Sequence, residues 1–240
     1  MAFRSILISG TDTGVGKTTV ACGLAAAFRT QDWRVGVFKP AETGCSGGPG
    51  GTLRPADALR LRFFSECRLD VTTICPYALP EPLAPLVAAE RNGTRIDLDT
   101  LARCYQTIVS DHDITLIEGA GGLLVPLTTA LTFADLAACL DVAVLVVVGS
   151  RLGAINHALL TMRYAHLAGL DVLGYVVNFL SEEMDLPART NTEVLTAWLG
   201  PPIGVVPFLG DIELSDAGRA RLAEVFSTTV DLNRLLIPAK

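Results

Sequence analysis

Apolar positions along the chain follow two alternating rhythms. Short apolar runs recur at Ile6–Ser9, Arg34–Phe38, Ile114–Ile117, Val142–Val148, Val172–Val177 and Ile203–Val206. Runs of this length without polar alternation predict strands covered on both faces, the habit of a parallel sheet. Between them, apolar residues three and four apart predict helices over Gly16–Arg29, Asp57–Ser65, Pro85–Arg91, Asp97–Ser110, Ile155–Ala168, Arg189–Leu199 and Asp216–Phe226. Strand–helix alternation of this kind predicts an α/β fold, a mostly parallel central sheet with helices on both faces and right-handed crossovers. The segment Ala41–Pro55, rich in Gly and Pro, fits neither rhythm. It is too long for a simple connector and is expected to be functional. No repeat, linker or low-complexity stretch divides the chain, so residues 1–240 are expected to form a single domain.

In open α/β sheets, ligands sit beyond the carboxyl ends of the strands. The first predicted strand runs into Gly10-Thr11-Asp12-Thr13-Gly14-Val15-Gly16-Lys17-Thr18-Thr19. Small residues let backbone N–H groups converge on a phosphate, and the helix that follows opens with its positive dipole end. This is a P-loop: Gly14, Val15 and Gly16 would cradle phosphate with Thr19, Lys17 would reach the terminal phosphates, and Thr18 would face Mg²⁺. The strict pattern asks for Gly six residues before the lysine, where this chain has Thr11. The second strand ends in Lys39, either a salt-bridge partner or a cation facing ligand. The third ends in Glu118, before Gly119-Ala120-Gly121-Gly122, where P-loop enzymes place an acid near the metal. Asp57 opens a helix, a position that also suits a plain dipole-compensating acid. The loop Gly149–Gly153 leads into another helix N-terminus, able to take a carboxylate or phosphate or simply to cap the helix. Asn178 ends the next strand, where an amide can read a base edge.

Composition sharpens this. The chain has sixteen Arg but three Lys (Lys17, Lys39 and Lys240), so both internal lysines stand beside strand ends. Lysine is a compact point charge and arginine a planar fork, so the exception carries chemical meaning. The net charge of −6 argues against nucleic acid as the main partner. The six cysteines form no C-x-x-C pair and the three histidines fall in no metal-ligand spacing, which suggests reduced thiols in a cytoplasmic protein. No signal peptide is expected, and no apolar run reaches the roughly 20 residues of a membrane helix.

Together these segments resemble dethiobiotin synthetase: GTDTGVGKT (10–18), FKPAETG (38–44), ADAL (56–59), EPLAP (81–85), IEGAGGLLVPL (117–127), TFADL (132–136), VVVGSRLGAINHALLT (146–161) and GYVVN (174–178). The resemblance covers nearly the whole chain in order. It implies a ligase that joins CO₂ to 7,8-diaminononanoate with ATP and Mg²⁺ and closes a cyclic urea. It implies Lys17, Lys39 and Thr13 as catalytic residues, with Thr43 beside the substrate. Thr18, Asp57 and Glu118 would arrange the metal, and Glu118 and Gly121 would border the nucleotide. Asn178 and the backbone of Pro207, Phe208 and Leu209 would hold adenine. It implies a homodimer in which Gly153, Ala154, Ile155 and Asn156 of the second subunit receive the substrate carboxylate.

This chain has Gly14 where some relatives carry an acid, and Phe208 where some carry Trp. Residues 181–200 match little. Two alternatives share the fold. Partition or positioning ATPases carry a lysine five residues before the phosphate lysine, where this chain has Asp12, and they use a basic patch or amphipathic anchor that is not seen here. Corrinoid amidating synthases need a separate glutamine-hydrolysing domain, for which 240 residues leave no room.

Overall fold

The computed structural model describes residues 4–48, 51–183 and 185–236. In chain order these form β1 (Arg4–Gly10), α1 (Lys17–Arg29), β2 (Val35–Phe38), β3 (Ala41–Thr43), β4 (Ser46–Gly47), β5 (Leu53–Arg54), α2 (Ala56–Ser65), α3 (Val71–Ile74), β6 (Tyr77–Leu79), α4 (Pro85–Arg91), α5 (Leu98–Val109), β7 (Ile114–Glu118), α6 (Phe133–Cys139), β8 (Ala143–Ser150), α7 (Ala154–Leu167), β9 (Val172–Phe179), α8 (Leu186–Leu199), β10 (Gly204–Val206), α9 (Asp216–Thr229) and α10 (Leu232–Leu236).

Six strands make one parallel sheet in the order β10-β9-β8-β1-β7-β2. Alternate residues face opposite layers. Ile6, Ile8, Leu145 and Val147 pack toward α1, α2 and α9. Leu7, Val144, Val146 and Val148 pack toward α5, α6, α7 and α8. Every residue of β8 is buried, which explains its unbroken apolar run. Two polar exceptions in the second layer pair with each other, the Tyr105 hydroxyl donating to Ser5 Oγ at 2.8 Å, whereas the buried Ser9 Oγ has no hydrogen-bond partner among the described residues.

Helix α1 carries the residues that follow the P-loop, and its small side chains let α9 approach closely. A Cβ added at Gly23 would lie 2.1 Å from the Phe226 ring, so only glycine fits there. Phe226 is fully buried in return.

The structure corrects several boundaries. The stretch Ala41–Pro55, expected as loop, contains β3, β4 and β5: β3 pairs in parallel with β6, and β4 pairs antiparallel with β5. Strands of two or three residues carry too few positions to show a period. The short helices α3, α6 and α10 were likewise not expected. Helix α6 opens with a reciprocal Thr132–Asp135 capping box, a local signal inside the TFADL motif. Strand β9 runs on through Asn178 to Phe179, so Asn178 lies within the strand rather than at its end. Among the described residues no helix is long and apolar enough to cross a membrane, and all six cysteines are free.

Candidate active site

The central strand β1 ends at Gly10, and its end is tied to β8 on one side and to the loop after β7 on the other. Gly10 N–H donates to the Gly121 carbonyl (3.2 Å), and Thr11 N–H to the Val147 carbonyl (3.0 Å). Thr11, at the position where the strict motif has glycine, is therefore held by its backbone. Gly16 adopts a left-handed conformation (φ 90°), and no side chain caps the first turn of α1. That leaves the helix N–H groups free for an anion. A Cβ at Gly16 would lie 2.1 Å from Asn178 Nδ2, so close approach as well as backbone sign requires glycine. Lys17 is buried and donates to the Asp12 carbonyl at 3.1 Å. Burial lowers its proton affinity, and the Glu118 charge opposes that effect.

Lys39, just past β2, is 3% exposed and donates to Glu118 Oε1 at 2.6 Å and to Asp57 Oδ2 at 3.0 Å. Burial works against its charge, but the two carboxylates outweigh that and hold the ammonium above its ordinary range. Thr18 Oγ1 donates to the same Glu118 oxygen at 2.8 Å. Glu118, 1% exposed, is pushed up by burial and by the Asp57 charge, against the pull of Lys39. One ammonium shared by two carboxylates leaves the group short of positive charge. Glu118 Oε2 is buried without a hydrogen-bond partner among the described residues.

The orphan oxygen, with the Asp57 carboxylate and the Thr18 hydroxyl beside it, fits the donor set that Mg²⁺ would need. Two carboxylates and a hydroxyl suit a hard cation that draws its other ligands from phosphates and water. No group of three His, Cys, Asp or Glu residues that could cage a metal occurs among the described residues.

These groups open into one cavity of about 600 Å³. It collects Thr13, Gly14, Gly16, Lys17, Thr18, Thr19, Lys39, Thr43, Asp57, Glu118 and Gly121 from the expected set. The sequence reading missed the facing wall, Pro82–Pro85 and Val125, although EPLAP was among its motifs. It also missed Glu42, which lines the cavity and is 5% exposed.

Other expected residues lie elsewhere. Val15 is buried beneath the loop, where its carbonyl accepts from Asn178 Nδ2 at 3.0 Å. Pro207 and Phe208 are exposed after β10, with Leu209 buried. Phe208 borders a second cavity of about 590 Å³ with Ser150, Arg151, Phe179 and Leu180. Gly153 and Asn156 are exposed at the start of α7, outside the main cavity; Ala154 is buried and Ile155 half-buried. Asp12 forms an ion pair with Arg151 of the β8–α7 turn. That turn is pinned by buried Asn191, whose Nδ2 donates to the Arg151 carbonyl at 2.9 Å. Asn191 belongs to the unmatched stretch 181–200.

A parallel sheet, a glycine-rich loop after its central strand, a Lys-Thr pair opening the next helix and an acid at the neighbouring strand tip define a P-loop nucleotide-binding protein. A family model described as an AAA domain matches residues 4–215. The fold is similar to the cell division ATPase MinD of Pyrococcus furiosus (TM-score 0.56, 19% identity, 97% of this chain and 98% of that one). It is also similar to a putative plasmid partition protein of Borrelia burgdorferi (TM-score 0.53, 14% identity, 95% and 99%). At such identities the likeness is one of fold. Sequence relatives are more specific. ATP-dependent dethiobiotin synthetases are 35% identical in Bacillus licheniformis (97% of this chain, 96% of the relative) and 40% in Anaeromyxobacter sp. strain K (91% and 94%). The one from Yersinia pestis bv. Antiqua is 39% identical (86% and 85%). The chain belongs to the dethiobiotin synthetase family. The partition-type alternative is left with fold alone and lacks the lysine at Asp12.

Proposed function

We propose that this chain is an ATP- and Mg²⁺-dependent cyclo-ligase acting on 7,8-diaminononanoate and CO₂ to give dethiobiotin, ADP and phosphate. Family membership supports the reaction class. The observation that carries the assignment of roles is the convergence of Lys17, Lys39, Thr18, Asp57 and Glu118 on one cavity. The reaction brings anions together: a carbamate, the terminal phosphates and later a tetrahedral oxyanion. Fixed cations facing that space lower the barrier without reorganising during reaction.

One substrate amine captures CO₂ and loses a proton to become a carbamate. A carbamate oxygen then attacks the γ-phosphate in line and ADP departs, leaving a carbamic–phosphoric anhydride. The second amine attacks its carbonyl, phosphate leaves, and a cyclic urea remains. Lys17 balances the terminal phosphates. Lys39 balances the carbamate, with the hydroxyls of Thr13 and Thr43 as donors beside it. Thr18, Asp57 and Glu118 would hold Mg²⁺, which when bound neutralises phosphate charge. Because Asp57 and Glu118 are also the partners of Lys39, committing them elsewhere leaves its ammonium to the carbamate. Pro82–Pro85 and Val125 offer an apolar wall to the methylene chain.

The nucleobase is assigned to Asn178 and Pro207–Leu209, supported by the position of Asn178 against the P-loop. The substrate carboxylate is assigned to Gly153–Asn156 of a second copy in a homodimer. The exposed Leu152, Leu160 and Leu167 around α7 support an interface there. A cytoplasmic enzyme, working as one domain over residues 1–240, fits this reading.

The test is turnover with purified protein, ATP, Mg²⁺, diaminononanoate and bicarbonate, following phosphate release and the mass of the product. ATP consumption should require both diamine and bicarbonate and yield a product with the mass of the cyclic urea. Hydrolysis indifferent to the diamine would refute the assignment.

A further inference from the structure

Helix α2 begins without the cap its first turn needs. Its N-cap residue is Pro55, and no side chain at that position accepts from the first-turn N–H groups. Two of them are satisfied from a distance: Asp57 N–H donates to Glu42 Oε1 and Ala58 N–H to Glu42 Oε2, both at 2.9 Å. These are the second and third helical positions, whose donors a local cap ordinarily takes. Glu42 sits at the centre of β3, where pairing with β6 fixes its backbone opposite Ala78.

A serine or asparagine cap would satisfy the same donors without a buried charge. Glu42 places a carboxylate close to that of Asp57, where burial raises its proton affinity and the two backbone bonds oppose the rise. Capping alone does not call for such an arrangement. What Glu42 adds is a rigid bidentate link between the Lys39 segment and the start of α2. Residues 39–42 thereby supply Lys39 and also fix the residue that Lys39 grips from the other side, Asp57.

We infer that Glu42 is a positioning residue for the metal-holding carboxylate, gripping the backbone of Asp57 and Ala58 so that Asp57 faces Glu118 and Lys39. This rests on the reading of Asp57 and Glu118 as the Mg²⁺-holding pair. Glu42 acts through Asp57 and does not touch the reacting atoms.

The experiment titrates Mg²⁺ calorimetrically into protein saturated with ADP, for wild type, Glu42→Gln, Glu42→Ala, Asp57→Asn and the double variant Glu42→Ala/Pro55→Ser. The kcat and KM for diamine are measured alongside. ADP affinity without metal checks that each P-loop is intact. Glu42→Gln keeps the shape but offers one acceptor to two donors, so Mg²⁺ affinity should fall about tenfold, and Glu42→Ala should lose up to about a hundredfold. Diamine KM should stay within about twofold. Pro55→Ser restores a local cap and should recover most of the loss in the double variant. Unchanged Mg²⁺ affinity in both Glu42 variants, with a loss in Asp57→Asn, overturns the inference and leaves the metal reading standing. If Asp57→Asn is also silent, both fall. A raised diamine KM that Pro55→Ser does not rescue would instead make Glu42 a substrate contact and likewise overturn the inference.

Discussion

On the β2–β7–β1 side of the sheet's carboxyl edge, charged side chains hold one another. Lys39 bridges Asp57 and Glu118, Thr18 joins Glu118, and Glu42 fixes Asp57 from behind. On the β8–β9–β10 side the expected ligand groups are mostly backbone, or exposed side chains such as Asn156 and Phe208. Asn178 and Asn191 are buried polar side chains there, and both donate to main-chain carbonyls. The first side pre-organises charge, whereas the second offers shape. Substitutions on the first should therefore act on turnover, and those on the second on affinity.

The strongest test is Lys17→Met. Turnover should fall on the order of 10³-fold, the scale of removing a positioned transition-state charge. Stability should move the other way. Burial depresses the proton affinity of Lys17, so its charge weighs on the fold. That cost is fully present below the folded value and fades as pH rises from there toward the unfolded value of about 10.4. Thermal melts of ligand-free Lys17→Met at pH 7 should match or exceed wild type. Near-normal turnover would break the comparison at its root.

Next is Lys39→Gln. ATP affinity by calorimetry should stay within about threefold, because its partners are carboxylates rather than the P-loop, while turnover falls roughly 10²-fold or more. Bicarbonate-dependent diamine binding should weaken. Lys39→Arg should not rescue, since the larger planar fork would displace the carbamate from its line to the γ-phosphate. Loss of ATP binding with diamine binding spared would move Lys39 to the nucleotide site.

Asn178→Leu sharpens the other side. It removes a hydrogen bond to Val15 beneath the P-loop, and nucleotide affinity should fall about tenfold with a smaller change in kcat. The smallest effect belongs to Phe208→Ala, a change of about threefold in ATP affinity read by the same titration, with turnover at saturating ATP unaltered. A larger effect on kcat than on affinity at either position would erase the distinction between the two sides.

The sequence disclosed the two sides unequally. Lys17, Lys39 and Glu118 were legible because each stands beside a strand end, in a chain that keeps lysine rare. Asp57 read equally well as a helix-start acid, because only the fold brings Lys39 to it. Glu42 was invisible for the same reason: its donors lie fifteen and sixteen residues away, and Pro55, the residue that makes a remote cap necessary, reads as ordinary loop. The six strands of the main sheet announced themselves through apolar runs, and even β10, three residues long, continues one that starts at Ile203. β3 and β6, three residues each, exist by virtue of pairing with one another, and no local pattern encodes a partner. Asn191 fell in a stretch without motif, although its burial now ties that stretch to the turn before α7.

The strand order also bears on how the molecule is made. β1 lies at the middle of the sheet, between β7 and β8, whose residues leave the ribosome more than a hundred positions later. At typical synthesis speeds that is a wait of roughly 5–30 s. During it Ile6, Leu7 and Ile8 have no strand on either edge, and the glycine-rich loop beside them has no Val147 or Gly121 carbonyl to anchor it. Phe226, which closes over Gly23, arrives later still. The nascent chain therefore exposes this central β segment until β7 and β8 have emerged, which makes the segment a natural place for a chaperone to engage during translation.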